Sequence, residues 1–298
     1  MNTQLNNILW TALITPLDHH GQVDNESLMN LIKLQEKSGN GILLLGSTGE
    51  GLAISDDEKR RVIDFVCSQD IKVPLMVGVG GHQISQQLSW IQFCQKFPVD
   101  AFLLVTPYYS RPGYCGQMKW FTQLLDTSEK PCMLYNIPKR AGCSLEVDVV
   151  KDLQAHPNYF ALKEASGSIE EFRKYKEVSD KKPLYSGNDN MMWDLACEGA
   201  QGLVGVMSNL WPRATRYFVE QCLKKERSQI VEEGLKASEV ANIQNPLASK
   251  VGLFKKKLIN SPNTELPLCP QDFHDTERLL KADQKMSQWE QSTISAVN

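Results

Sequence analysis

No apolar run in this chain approaches the roughly 20 residues that a bilayer-spanning helix needs, so a helical membrane span is excluded. The charge is also unbalanced too little to suggest nucleic acid or an anionic surface as partner: 32 basic against 35 acidic residues give a formal net charge of −3. Eight cysteines are scattered with no Cys-x-x-Cys pair. A chain of 298 residues has core enough without staples, so reduced thiols are expected. The five histidines, His19, His20, His82, His156 and His274, have no zinc-binding spacing, and no metal site is expected. Gly78-Val79-Gly80-Gly81 lacks the dinucleotide spacing, and no Walker lysine motif, nucleophile elbow or kinase signature occurs. The opening Met1-Asn2-Thr3-Gln4-Leu5-Asn6-Asn7 has neither a basic region nor a long apolar stretch, which predicts no signal peptide and a cytoplasmic location. The basic run Lys255-Lys256-Lys257 reads as one solvated helix face.

What the chain does have is repetition. Eight short apolar runs recur: 8–14, 42–45, 74–79, 101–106, 131–135, 160–163, 183–186 and 202–206. Each is too short for a stable helix and is bounded by Gly, Pro or polar residues, as strands are. The segments between them read as helices. Ser55-x-x-Glu58 and Ser168-x-x-Glu171 match the capping box, and Pro212 suits a first helical turn. Leu28, Leu31, Ile32 and Gln35 form one helical stripe, and Val62, Ile63, Phe65 and Val66 another. Strand and helix alternating eight times predict an α/β fold, a (β/α)8 TIM barrel over residues 1–225. A doubly wound sheet is the rival, without its glycine fingerprint. Residues 226–298, broken by prolines at 246, 262, 267 and 270, are expected to form a helical C-terminal extension.

Lys163 ends the apolar run Phe160-Ala161-Leu162 and precedes a small-residue turn. Taken alone, it could snorkel into water. Buried, its charged form would be disfavoured and its amine freed to attack a carbonyl, giving a Schiff base. In a barrel the C-terminal strand ends carry the chemistry. There the chain places Gly46-Ser47-Thr48-Gly49-Glu50-Gly51, whose hydroxyls and amides suit a carboxylate but equally suit a plain turn. Alternation puts Met133 and Tyr135 on one face and Leu134 on the other. A lumen-facing Tyr135 can relay a proton, or merely bond a carbonyl. Arg140 is either an anion clamp or an exposed loop residue. Gly187 permits close approach to the backbone.

Gly46-Ser47-Thr48-Gly49-Glu50, the run Thr106 to Pro112, Tyr135-Asn136-Ile137-Pro138 and Leu162-Lys163-Glu164-Ala165 stand in the order and spacing of one family. The chain resembles the class I pyruvate-dependent aldolase superfamily, which includes dihydrodipicolinate synthases and N-acetylneuraminate lyases, over nearly its whole length. It is most similar to the synthase branch. That resemblance implies the following roles. Lys163 forms an imine with pyruvate, so no other cofactor is called for. Tyr135 shuttles protons beside it. Ser47 supplies the hydroxyl that the synthases usually take from threonine. Tyr109 is inserted by a neighbouring subunit, implying a homodimer or homotetramer. Thr48 helps to hold pyruvate's carboxylate, and Arg140 receives the carboxylate of aspartate semialdehyde. Gly187 and Val204 line the pocket. The implied reaction condenses pyruvate with L-aspartate 4-semialdehyde.

The Gly-Ser-Thr-Gly-Glu spelling is also that of neuraminate lyases, and points to an aldolase of sialic acid or a 2-keto-3-deoxy sugar acid. Arg140 points back, because a neutral sugar chain has no use for it and charge discriminates more strongly than one methyl. A non-catalytic keto-acid-binding relative would be expected to lack the lysine or the tyrosine. The positions matching the family's lysine-feedback pocket read Asp56, Lys59, His82 and Gln86, a set that predicts weak or absent inhibition by lysine.

Overall fold

The computed structural model describes residues 5–179 and 181–295. Eight parallel strands close into a barrel in sequence order. They are β1 (Leu9–Ala12), β2 (Gly41–Leu44), β3 (Leu75–Val79), β4 (Ala101–Val105), β5 (Cys132–Asn136), β6 (Tyr159–Glu164), β7 (Leu184–Ser186) and β8 (Leu203–Gly205). The barrel closes where Trp10 of β1 pairs with Val204 of β8. All eight apolar runs became strands, with ends displaced by at most two residues where the chain turns; β6 outlasts its run by one residue at each end. The first stops at Ala12, two residues before its apolar run ends.

The helices are α1 (Asn25–Lys37), α2 (Asp56–Cys67), α3 (Ile84–Cys94), α4 (Tyr114–Thr127), α5 (Pro138–Ala141), α6 (Val147–Asp152), α7 (Ile169–Val178), α8 (Met192–Glu198), α9 (Pro212–Lys224), α10 (Gln229–Ala241), α11 (Leu247–Lys255) and α12 (Thr276–Ser295). Ser55 caps α2 by accepting from the Glu58 N–H at 3.2 Å, and Ser168 caps α7 by accepting from the Glu171 N–H at 3.3 Å. Glu58 does not complete the reciprocal half of the box; its Oε1 accepts from the Val23 N–H at 3.0 Å instead, tying the entry of α1 to α2. Pro212 occupies the first turn of α9.

Strand alternation sorts the apolar residues into two cores. Trp10, Leu43, Met76, Leu103, Met133 and Tyr135 fill the lumen. Leu9, Ile42, Leu44, Phe102, Leu134 and Leu162 face outward into a larger core under the helices. Leu28, Leu31, Ile32 and Gln35 of α1 are buried as the stripe requires, and the Gln35 amide oxygen accepts from the Thr11 hydroxyl at 2.7 Å. Among the described residues no helix is long and apolar enough to cross a membrane. The cysteines are free thiols.

The C-terminal part is helical with the breaks that its prolines predict, and it departs from the sequence reading in one place, the basic run. Between α11 and α12 the chain is irregular apart from a 3-10 turn at Pro270–Asp272, because three prolines deny it backbone donors. The basic run is not one helix face. Helix α11 ends at Lys255, Lys256 pairs with Asp283 of α12 at 2.6 Å, and Lys257 takes a left-handed φ of 57°.

Candidate active site

The C-terminal strand ends open on a cavity of about 200 Å³ lined by Ser47, Leu103, Val105, Tyr135, Ile137 and Arg140. Tyr135 and Lys163 come from neighbouring strands in direct register. Both point into the lumen, with 6% and 5% of their surface exposed. The Lys163 Nζ lies 4.3 Å from the centre of the Tyr135 ring. Among the described residues no carboxylate makes an ion pair with Lys163. Burial therefore dominates its titration and lowers it to about 7; the Asp189 carboxylate opposes the lowering, and Arg140 adds to it. Burial pushes the Tyr135 phenol up to about 12, against the pull of Arg140 and of a hydrogen bond with Ser47. The amine is thus available as a nucleophile near neutral pH while the phenol keeps its proton.

Gly187, just beyond β7, sits against Lys163. A Cβ there would stand 2.9 Å from Lys163 Cε and 2.6 Å from Ala165 Cβ, so only glycine leaves the lysine its path. Val204 of β8 lies fully buried in the lumen wall.

The turn after β2 is held in an unusual shape. Leu45 and Glu50 take left-handed φ angles of 54° and 55°. Gly51 has no room for a side chain, since a Cβ would meet the Leu45 carbonyl oxygen at 2.0 Å. Thr48 is buried, and its hydroxyl accepts from Asn245 Nδ2 at 2.9 Å. Arg140 is exposed at the mouth, where its Nη2 donates to the Asn245 carbonyl at 3.2 Å. Asn245 thus joins both positions from the extension, just before α11. Glu50 is fixed by a buried contact with Lys250 of α11 and by the Glu265 N–H, 2.7 Å from its Oε2.

Tyr109 stands apart. It has a φ of 70°, is 88% exposed and does not line the cavity, whose wall includes Tyr108 instead. The structure thus gathers Ser47, Tyr135 and Arg140 around one cavity, sets Lys163 on the Tyr135 ring with Gly187 against it, packs Val204 in the lumen, and leaves Thr48 and Tyr109 off the cavity lining.

Sequence reasoning assigned no role to Asn245 or Lys250, which lie about 200 positions beyond the turn they brace and carry no local signal. Asp189 was also missed. It is wholly buried, and its carboxylate accepts from the N–H groups of Val206 and Met207 at 3.0–3.1 Å and from Asn242 Nδ2 at 3.3 Å. Its proximity to Gly187 in the sequence was the available hint. Asn136 and Glu164 were seen only as motif letters.

Residues 5–282 match the Dihydrodipicolinate synthetase family. The chain is 42% identical over 292 residues to the 4-hydroxy-tetrahydrodipicolinate synthase of Francisella philomiragia, covering 97% of this chain and 99% of that one. It is 38% identical over 288 residues to the enzyme of the same name from Wolbachia pipientis of Culex pipiens, covering 96% and 98%. Among solved structures, it is similar to the chloride-inhibited dihydrodipicolinate synthase of Acinetobacter baumannii complexed with pyruvate, with a TM-score of 0.87 and 28% identity over 94% of this chain and 99% of that one. The 4-hydroxy-tetrahydrodipicolinate synthase of Methylacidiphilum fumariolicum gives a TM-score of 0.89 at 27% identity, covering 97% and 98%.

Proposed function

This chain belongs to the dihydrodipicolinate synthetase family, and from that premise we propose that it condenses pyruvate with L-aspartate 4-semialdehyde, giving 4-hydroxy-tetrahydrodipicolinate for lysine and diaminopimelate biosynthesis. One observation carries the reading: a lysine amine lies almost out of water, titrates at about 7, and has a protonated phenol over it.

The neutral Lys163 amine adds to the ketone carbon of pyruvate. The carbinolamine loses water, and Tyr135 supplies the proton that lets hydroxide leave as water. The resulting imine draws electrons from the adjacent methyl, which gives up a proton to the Tyr135 phenolate, forming an enamine and restoring the phenol. The enamine carbon attacks the aldehyde carbon of the second substrate, and the aldehyde oxygen takes a proton. The amino group of that substrate then attacks the imine carbon, the bond to Lys163 breaks and the ring closes. The lysine does the work of an electron-sink cofactor, and the cycle calls for no other.

The pyruvate carboxylate is held by the Thr48 hydroxyl and the backbone amides of its turn. Ser47 relays protons to Tyr135. Arg140, steadied by the Asn245 carbonyl, offers its planar fork to the second substrate's carboxylate. Gly187 and Val204 shape the wall. Tyr109 serves the site of a second copy, which makes the working unit a homodimer or homotetramer. The barrel, residues 1–225, carries the chemistry and the extension, residues 226–298, braces its mouth. The enzyme acts in the cytoplasm.

Borohydride reduction with pyruvate, followed by mass spectrometry, should mark the peptide containing Lys163. A coupled assay should show turnover with pyruvate and aspartate semialdehyde and none with N-acetylneuraminate. Arg140→Ala should lose about a hundredfold or more in kcat/KM for the aldehyde while still trapping pyruvate. An unmodified Lys163 peptide, or cleavage of the sugar acid, would overturn the assignment.

A further inference from the structure

Tyr135 and Lys163 are each followed by a residue that turns the opposite way, out of the lumen and into the layer beneath the helices. These are Asn136 and Glu164, which oppose one another in the register of β5 and β6. Both are completely buried. Asn136 Nδ2 donates to Glu164 Oε1 at 3.0 Å, and the same oxygen accepts from the Ser166 N–H at 2.7 Å. Asn136 Oδ1 accepts from the Leu145 N–H at 2.9 Å. The backbones join the same knot: the Ala165 N–H donates to the Asn136 carbonyl at 2.9 Å and the Gly187 N–H to the Glu164 carbonyl at 2.6 Å. The loops leaving β5, β6 and β7 therefore meet at one buried cross-link.

Burying two polar side chains to hold strands already laddered by backbone bonds is an expensive way to gain stability. What the link adds is geometry. Asn136 and Glu164 adjoin the two reacting residues, so any slide or twist between β5 and β6 moves the phenol relative to the amine. We propose that Asn136 and Glu164 are positioning residues, whose buried cross-link holds the Tyr135 phenol at proton-transfer distance from the adduct on Lys163. The proposal rests on the Schiff-base reading of the site. Neither side chain lines the cavity. Burial pushes the Glu164 carboxyl up, which agrees with a role as hydrogen-bond acceptor rather than as a charge. A glutamine at 164 would keep an oxygen for both N–H donors.

The test compares the full-length wild type with Glu164→Ala, Glu164→Gln, Asn136→Ala and the double alanine variant. It measures kcat, both KM values, borohydride trapping of pyruvate and thermal unfolding. Glu164→Ala and Asn136→Ala should each lower kcat by about tenfold to a hundredfold, the scale set by small misplacements of reacting groups. Pyruvate KM should change by less than about twofold, because pyruvate is held by other residues. The adduct should still form at Lys163. Glu164→Gln should restore kcat to within about threefold of wild type, and the double variant should be little worse than either single one, as for residues acting as one unit. Unchanged kcat in a folded alanine variant overturns the proposal, as does a glutamine variant as slow as the alanine one. If both alanine variants fail to fold while glutamine behaves as wild type, the link is structural and the positioning role is overturned. A wild type that traps no pyruvate overturns the Schiff-base reading as well; a wild-type adduct with undiminished kcat in Glu164→Ala overturns this proposal alone.

Discussion

Two lysines of this chain are withdrawn from water, 5% exposed at 163 and 0% at 250, and they meet different surroundings. Lys250 of α11 contacts the Glu50 carboxylate directly and donates to the Asn263 carbonyl at 2.6 Å. Burial pushes its ammonium toward neutrality, and the contact with Glu50 pulls it back. We read this pair as charged, because two ions in contact with further hydrogen bonds are the arrangement that offsets desolvation. Lys163 faces a phenol ring and, among the described residues, makes no ion pair; burial outweighs the pull of the Asp189 carboxylate, and its amine falls to about 7. Burial alone does not make a reactive lysine; burial without a partner does.

The contrast is broken most completely at Lys163. Lys163→Met should abolish both turnover and the borohydride-trapped adduct, with the protein still folded. The pH profile sharpens the point. Only the neutral amine attacks, so kcat/KM should climb as pH rises through about 7. A limb near the ordinary lysine value would mean that the amine is solvated after all.

Lys250→Met should leave Glu50 buried without its partner and cost about 3–5 kcal/mol, read from denaturant unfolding. Adding Glu50→Gln should recover part of that loss, since the stranded charge is then gone. Because Glu50 shapes the turn that carries Thr48, the single variant should also raise pyruvate KM. If Lys250→Met is neutral, the pair is not ionised.

Lys163 should show the opposite sign. An amine held at about 7 instead of 10.5 corresponds to about 5 kcal/mol against the charged form. The unfolded chain binds that proton up to about pH 10.5 and the folded chain only to about 7, so folding releases it between those values and stability rises with pH there. Below about 7 the folded protein bears the full cost. Lys163→Met should therefore stabilise the protein by about 3 kcal/mol or more at pH 6, with the gain fading toward pH 10. A destabilised Lys163→Met at pH 6 would contradict the unpaired burial on which the comparison rests.

The same two residues mark how far the sequence could be read. Lys163 was legible because its signal is local: a charge at the end of an apolar run, with a tyrosine one strand away on the lumen face of β5. Period-two alternation sufficed to separate Met133 and Tyr135 from Leu134, and the barrel turns the first pair inward and Leu134 outward. Lys250 was not legible. Nothing near it in the chain announces a buried ion, and its partner lies in a turn 200 positions earlier whose shape depends on left-handed residues at 45 and 50. The same distance hid Asn245, which reaches Thr48 and Arg140 only because the proline-broken extension folds back over the mouth. Long-range closure of this kind is set by packing, not by periodicity.

The smallest effect is expected at a third, partly exposed lysine. Lys59 of α2 faces a cleft of about 450 Å³ beside the active site, shared with Asp56, His82, Gln86 and Trp90. Its ammonium pairs with Asp56 at 2.6 Å and lies 5.3 Å from the centre of the Trp90 ring. Among the described residues lining the cleft, Asp56 is the one carboxylate, and Lys59 already occupies it. A second ammonium entering there would meet a like charge and find no free acid. L-Lysine at 1 mM, roughly the scale of weak binding, should therefore reduce the initial rate by less than about half. Lys59→Ala should increase the sensitivity by freeing Asp56 and removing the repulsion, an effect of about 1 kcal/mol given how open the pair is to solvent. Half-inhibition of the wild type at submillimolar lysine would show that Lys59 is no barrier, and that a surface pair, unlike the buried one at Glu50, yields readily to a competing cation.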